Sequence, residues 1–84
     1  MKQYILNGQN MSDREAAYDE IARALELPAH FGRNLDALWD ELSGMQGEII
    51  LTTPADHDEY AGKILQVLRE AADENPRLKL TVQA

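Results

Sequence analysis

Two aspartates that lie four positions apart, Asp36 and Asp40, are the side chains of this sequence best suited to chemistry. On a helix, that spacing places both carboxylates on the same side. Paired carboxylates can act as general acid and base, with His30 near enough in sequence to take part. They can also accept charge-assisted hydrogen bonds from arginine or lysine in a cationic cleft, where they would stand in for phosphates. The remaining use is structural, because acids near the start of a helix stabilise it.

Other catalytic and metal-binding patterns find little support. The sequence has no cysteine, no Gly-x-Ser-x-Gly elbow, no phosphate loop and no dinucleotide fingerprint. His57 lies between Asp56 and Asp58, which could bind a transition metal, but acids at a turn are more typical of a helix start. We therefore expect neither a metal site nor a cofactor.

The balance of charge points to a basic partner. Eight lysines and arginines against fifteen aspartates and glutamates give a net charge of −7, which repels nucleic acid and anionic membranes. An acidic surface instead attracts basic proteins and speeds their capture. No apolar run reaches the roughly 20 residues of a membrane helix, and the first residues do not resemble a signal peptide, which favours the cytoplasm.

The segment around the two aspartates predicts a short helix with defined ends. Asn34 is a suitable N-cap, and Gly44 is a suitable stop. Ahead of this helix, Pro28 and Gly32 mark a loop. Asp40 points away from the apolar side of the helix. That apolar side consists of Leu35, Leu38 and Leu42, with Trp39 at its edge.

The elements before this helix are a strand and another helix. Residues 3–6 favour a strand that is followed by a turn. Ser12 and Glu15 fit a capping box, which predicts that a helix starts after Ser12. This helix ends near residue 25 or 26, because Pro28 cannot continue it.

The second half of the chain predicts a strand, a helix and a strand. Residues 48–53 have a continuous apolar centre, which suits a strand buried on both faces of a parallel sheet. A helix follows over residues 58–73, where Gly62 could divide it into two shorter helices. Residues 78–82 alternate and predict the last strand. This order predicts one α/β domain over residues 1–84, with a small three-stranded parallel sheet packed with three to four helices.

The central run of the sequence resembles the signature of the barstar family. The matching residues are Leu27-Pro28, Phe31-Gly32, Asn34-Leu35-Asp36-Ala37-Leu38-Trp39-Asp40, Leu42 and Gly44. Residues 5–8 and 65–71 are similar to that family too, so the resemblance extends over nearly the whole chain. The family's best-known member inhibits a secreted guanyl-specific ribonuclease inside the cell that makes it. The resemblance therefore implies an intracellular inhibitor with a small α/β fold, and not an enzyme.

The resemblance also implies which residues would contact the nuclease. Asp40 matches the residue that occupies the phosphate site of the nuclease, opposite its catalytic arginine and histidine groups. Asp36 matches a second acid, which pairs with basic residues of the nuclease. The later helix supplies two further acids, Glu70 at the interface and Glu74 in the surrounding negative potential. The other positions at the interface are His30, Trp39, Gly44 and Met45.

Three of these surroundings differ from the family pattern. His30 replaces a tyrosine that stacks on the nuclease, Met45 replaces a tryptophan, and Arg33 places a cation where the best-known member has an acid. The differences concern the partner, which we expect to be a basic microbial ribonuclease or nuclease toxin, bound by a protein that is a monomer when free. Two alternatives remain. One is an acidic module for another basic protein, and the other is a small enzyme that uses Asp36, Asp40 and His30.

Overall fold

The computed structural model describes residues 1–52 and 59–83. Within them the chain forms three strands and three α-helices, in the order that the sequence predicts. A short 3-10 helix, Gly8–Asn10, stands where a turn was expected after the first strand. The main elements are β1 (Gln3–Asn7), α1 (Arg14–Ala24), α2 (Leu35–Ser43), β2 (Gly47–Thr52), α3 (Glu59–Glu74) and β3 (Leu78–Gln83).

The three strands form one parallel sheet in the order β1-β2-β3. Leu6 of β1 pairs with Leu51 of β2, and Ile49 of β2 pairs with Leu80 of β3. Parallel neighbours need a long crossover, which α1 and α2 provide between the first two strands and α3 provides between the last two. The predicted α/β class and the three-stranded parallel sheet are confirmed.

The helices of the described chain cover one face of the sheet, so the prediction that β2 is buried on both faces is wrong. Ile49 and Leu51 are buried, whereas Ile50 between them is partly exposed. Ile5, which pairs with Ile50 on the same face, is 51% exposed. Two right-handed crossovers that proceed in the same direction leave their helices on one side of a sheet. The apolar run of β2 therefore reflects its central place in the sheet and not burial of both faces.

The covered face of the sheet and the inner sides of the helices form one apolar core. The apolar sides predicted for the helices are confirmed, and α2 packs against α3 through this core. Full burial of an aliphatic side chain contributes about 1.5–3 kcal/mol to the hydrophobic stabilisation. The largest side chains with less than 2% exposure are Leu6, Tyr18, Ile21, Leu38, Leu42, Ile49, Ile64 and Leu68.

The N-terminus of α1 corrects the predicted capping box. Asp13, and not Ser12, is the N-cap, and its Oδ1 accepts a hydrogen bond from the backbone N–H of Ala16 at 2.8 Å. A capping box needs its glutamate three residues after the N-cap. With Asp13 in that position, Glu15 lies one residue too early to complete the box.

The helix α3 is continuous from Glu59 to Glu74, so Gly62 does not divide it. A single glycine costs a helix about 1 kcal/mol relative to alanine, which does not by itself end the helix. Ala61 and Ile64, on either side of Gly62, are buried and hold this part of α3 on the core. The residue expected to begin the helix, residue 58, lies outside the described ranges.

Candidate partner-binding site

Both predicted ends of α2 are confirmed by the cap geometry. The side-chain Oδ1 of Asn34 accepts a hydrogen bond from the backbone N–H of Ala37 at 2.8 Å, and the backbone of Asn34 is extended. At the other end Gly44 is the C-cap, and its N–H donates to the carbonyl oxygen of Glu41 at 3.3 Å. Because caps satisfy backbone groups that a helix end leaves unpaired, this nine-residue helix has a fixed length.

The two sides of α2 have opposite roles. Leu38 and Leu42 are fully buried and anchor the helix on the core. Asp36 and Asp40 are both exposed, and neither takes part in an ion pair with any other residue in the described parts of the chain. Two ionised carboxylates on a rigid helix, without cations of their own, can accept hydrogen bonds from arginine and lysine side chains of a partner. Acid–base catalysis by carboxyl groups relies on burial, which these two side chains lack.

Trp39 and Met45 border the exposed aspartates. Both side chains are half-buried and pack against the edge of the core. The backbone carbonyl of Trp39 accepts a hydrogen bond from the hydroxyl of Ser43 at 2.8 Å. Gly44, between Ser43 and Met45 in sequence, is exposed. The C-terminal half of α2 thus combines an aromatic edge with a small, accessible turn.

Asn75 is a residue of this region that the sequence analysis missed, since it was interpreted only as a helix terminator together with Pro76. Its side-chain Nδ2 donates to the carbonyl oxygens of Met45 at 2.8 Å, Leu42 at 3.0 Å and Ser43 at 3.4 Å. Asn75 is 9% exposed, which is low for a polar side chain. Its contacts tie the end of α3 to the end of α2.

Glu70 and Glu74 lie on the C-terminal half of α3 and are exposed. Glu74 directly precedes Asn75, so the contacts of Asn75 place Glu74 beside the C-terminal end of α2. Glu70 lies one turn earlier on α3 and accepts a long hydrogen bond of 3.5 Å from the side chain of Gln66. The packing of α2 against α3 therefore assembles acids from two separate parts of the chain into one region.

His30 lies in the loop that precedes α2 and is exposed. The next residue, Phe31, is buried and packs edge-on against the ring of Tyr18 in α1, with the ring centroids 5.9 Å apart. The N–H of Phe31 also donates to the carbonyl oxygen of Pro28 at 3.0 Å. Phe31 thus anchors the loop and leaves His30 accessible at the N-terminal end of α2, whereas Met45 lies beyond its C-terminal end.

Arg33, which was expected to place a cation beside the acidic site, is turned toward α1. Its Nη2 donates to Oδ1 of Asp19 at 2.6 Å and to the backbone carbonyl of Glu15 at 3.3 Å. Asp19 is three turns of chain away from the aspartates of α2 in sequence terms and belongs to another helix. The charge of Arg33 is therefore paired with α1 and not with Asp36 or Asp40.

The described ranges also bear on two other kinds of site. Within residues 1–52 and 59–83, no group of three or more histidine, aspartate and glutamate side chains could hold a metal ion. The run around His57 that was considered for a metal lies outside these ranges. None of the helices in the described part of the chain is long and apolar enough to cross a membrane.

Comparison with known proteins assigns the family. The family model described as "Barstar (barnase inhibitor)" matches residues 1–83. A protein of Bacillus subtilis (strain 168), named "Putative ribonuclease inhibitor YrdF", is 34% identical over 82 aligned residues. The alignment covers 88% of this chain and 89% of that protein. With a family model that spans nearly the whole sequence and a relative of similar length, the chain belongs to the barstar family.

Proposed function

We propose that this protein inhibits a ribonuclease by placing Asp36 and Asp40 of α2 in the phosphate-binding cleft of the enzyme. The observation that carries the proposal is the pair of exposed carboxylates, free of cations within the described chain, on a helix that is capped at both ends. The family description and the name of the Bacillus relative support ribonuclease inhibition as the type of function.

The mechanism follows from the charge of the two surfaces. A ribonuclease binds the phosphates of its substrate with arginine, lysine and histidine side chains, which also attract carboxylates. In the proposed complex Asp40 occupies the phosphate site and Asp36 pairs with a neighbouring cation. RNA is then excluded by occupancy of the cleft. No covalent step and no cofactor is needed.

The wider acidic surface serves the approach of the partner. Glu70 and Glu74 extend the negative potential of α2 onto α3, and the whole chain carries a net charge of −7. A potential of this kind steers a basic protein toward the site and raises the association rate, most strongly at low salt. His30, Trp39, Gly44 and Met45 complete the proposed contact surface around the aspartates.

The proposed partner is a secreted, basic, guanyl-specific ribonuclease or a nuclease toxin. We place the encounter in the cytoplasm, where the protein would act as a monomer and as one domain over residues 1–84. His30 and Met45, which differ from the family pattern, are the positions where specificity for a particular nuclease would be adjusted. His30 can change its charge near neutral pH, whereas the tyrosine at this position in the best-known member cannot.

The test is titration of the purified protein into a guanyl-specific microbial ribonuclease, with RNA cleavage and binding measured in parallel. Wild type is compared with Asp40→Ala and with Glu41→Ala as the matched control. Glu41→Ala removes the same charge from the same helix, but Glu41 lies about 100° around the helix from Asp40. Low and physiological salt concentrations separate steering from contacts in the complex.

We expect one-to-one inhibition by wild type and a loss of about 2–5 kcal/mol of binding free energy for Asp40→Ala, because the cations of the nuclease are left buried and unpaired. The best-known complex of this family is itself a reference case for such charge pairs, so this range is a general one. Glu41→Ala should stay close to wild type. Binding without inhibition would instead indicate an acidic module for another site, and equal effects of the two substitutions would contradict phosphate mimicry.

A further inference from the structure

We propose that Arg33 is a positioning residue, which fixes the loop of residues 28–33 and the first turn of α2 in the orientation that the nuclease recognises. The inference rests on the proposed function, because it concerns how the same surface is held in place. Its structural part, the effect of Arg33 on the order of the loop, can be measured without any nuclease.

The backbone of Arg33 lies in a conformation that its residue type disfavours. Its φ angle is 54°, in the left-handed region. Residues with a Cβ atom adopt this region rarely, and those that do are mostly asparagine, aspartate and glycine. An arginine held there needs contacts from its surroundings to keep the conformation.

The side chain of Arg33 supplies the first of these contacts. Its Nη2 bonds both the carboxylate of Asp19 at 2.6 Å and the backbone carbonyl of Glu15 at 3.3 Å. Glu15 and Asp19 are separated by one turn of α1, so the guanidinium lies along the surface of that helix. The side chain therefore connects the loop to α1 at two points.

The backbone of Arg33 supplies the second contact, from the opposite direction. Its carbonyl oxygen accepts a hydrogen bond of 3.3 Å from Nη2 of Arg14. Arg14 is itself held by the hydroxyl of Tyr60 in α3, at 3.4 Å, and lies over the rings of Tyr18 and Tyr60. The hydroxyls of these tyrosines are 2.8 Å apart. Arg33 is thus tied through one arginine to both α1 and α3.

The position of Arg33 in the chain makes these ties important for the proposed site. Asn34, the next residue, is the N-cap of α2, and its Nδ2 donates to the carbonyl oxygen of Gly32 at 3.2 Å. A change in the backbone angles of Arg33 would therefore turn His30 on one side and the first turn of α2, with Asp36, on the other. Recognition of a charged cleft depends on such orientations, because a misplaced carboxylate loses its hydrogen bonds.

The exposed pair between Arg33 and Asp19 should matter little for global stability. The two side chains are 42% and 66% exposed, and ion pairs of this kind contribute little to the free energy of unfolding. A role in positioning therefore predicts changes in local order and in inhibition, with the thermal midpoint nearly unchanged.

The experiment uses Arg33→Asn, Asp19→Asn, the double variant, and Glu15→Gln as control. Asparagine keeps the left-handed backbone accessible and removes the guanidinium. Glu15→Gln removes the same charge from α1 as Asp19→Asn without touching a side-chain contact of Arg33. Hydrogen exchange of the Phe31 and Ala37 amides measures the order of the loop and of the α2 cap, and inhibition of the ribonuclease measures function.

We expect both single variants to speed exchange at Phe31 and Ala37 by about tenfold, with the amide of Leu68 in α3 unchanged. Both should also weaken inhibition by about tenfold, mainly through faster dissociation, and the double variant should be no worse than either. This result is specific to positioning. If the charge of Arg33 acted on the nuclease directly, removing that cation would instead strengthen inhibition, whereas removing the charge of Asp19 would weaken it.

Unchanged exchange in both variants would overturn the inference, as would effects on inhibition of opposite sign. If wild type inhibited no ribonuclease, the proposed function would fail, and the exchange data would still decide whether Arg33 orders the loop. The two failures are therefore distinguishable.

Discussion

The side-chain amide of Asn75 donates a hydrogen bond of 2.8 Å to the carbonyl oxygen of Met45, which lies 30 residues earlier in the chain. The same nitrogen bonds the carbonyl oxygens of Leu42 and Ser43, so the end of α3 caps the end of α2. The last carbonyl groups of a helix have no partners within it. A side chain from α3 therefore completes the helix that carries the proposed site.

Replacement of Asn75 by alanine should lower the free energy of unfolding by about 1–3 kcal/mol, because buried carbonyl groups lose their donor. Urea unfolding measures this difference. Gln66→Ala, on the exposed side of the same helix, is the control and should change stability by less than about 0.5 kcal/mol. If the two variants were equally stable, the contact between Asn75 and α2 would not be a significant link between the helices.

Substitution of Glu20 should change how stability depends on pH. This carboxylate is 4% exposed and accepts hydrogen bonds from Arg23, Asn10 and the backbone N–H of Asn7. Burial raises the pKa of Glu20, but the hydrogen bonds from Arg23, Asn7 and Asn10 together outweigh burial and hold this pKa below its ordinary value of 4.5. Because the pKa is lowered in the folded state, the stabilisation is complete above 4.5 and is lost as the pH falls through the folded value.

We therefore expect Glu20→Gln to be less stable than wild type by about 1–3 kcal/mol at neutral pH, since one charged acceptor is lost. The difference should shrink as the pH falls below 4.5. Unfolding in urea at a series of pH values measures it, with Glu15→Gln as an exposed control. A difference that stays constant across the acid range would show that the ionised form of Glu20 is not what stabilises the fold.

The acids of the proposed site should separate into two kinetic classes. Asp36→Ala should rank second to Asp40→Ala and act mainly by raising the dissociation rate, since both side chains would be desolvated in the complex. Glu74→Ala should mainly lower the association rate, by less than about tenfold, and lose this effect at high salt. Stopped-flow binding resolves the two rates. Equal and small effects from all three substitutions would contradict the ranking.

Local patterns in the sequence were sufficient for the order of the elements and for the helix that carries the aspartates. Asn34 and Gly44 mark the ends of α2 because caps depend on residues next to the helix. The burial of Leu38 and Leu42, and the exposure of Asp36, follow from the periodicity of α2. Strands separated by helices also required parallel neighbours, which the sheet confirms.

The errors arose where neighbouring residues offered the same signal or where coverage depended on other elements. Ser12 and Asp13 can both cap a helix, and the geometry of the first turn selected Asp13. Ile50 is apolar like its neighbours in β2, yet it is partly exposed. Its exposure depends on which side of the sheet the helices take, and no residue within the strand determines that.

The sequence by itself determined the family resemblance, the elements and the exposed acids of α2. The tertiary structure decided how those acids are held. Asn75 meets Met45 across 30 residues, and Arg33 meets Asp19 across 14, so neither contact leaves a periodic signal in the sequence. Such contacts exist because the folded core brings the ends of separate helices together, and a polar side chain at a helix end then bonds whichever backbone group packing places within reach.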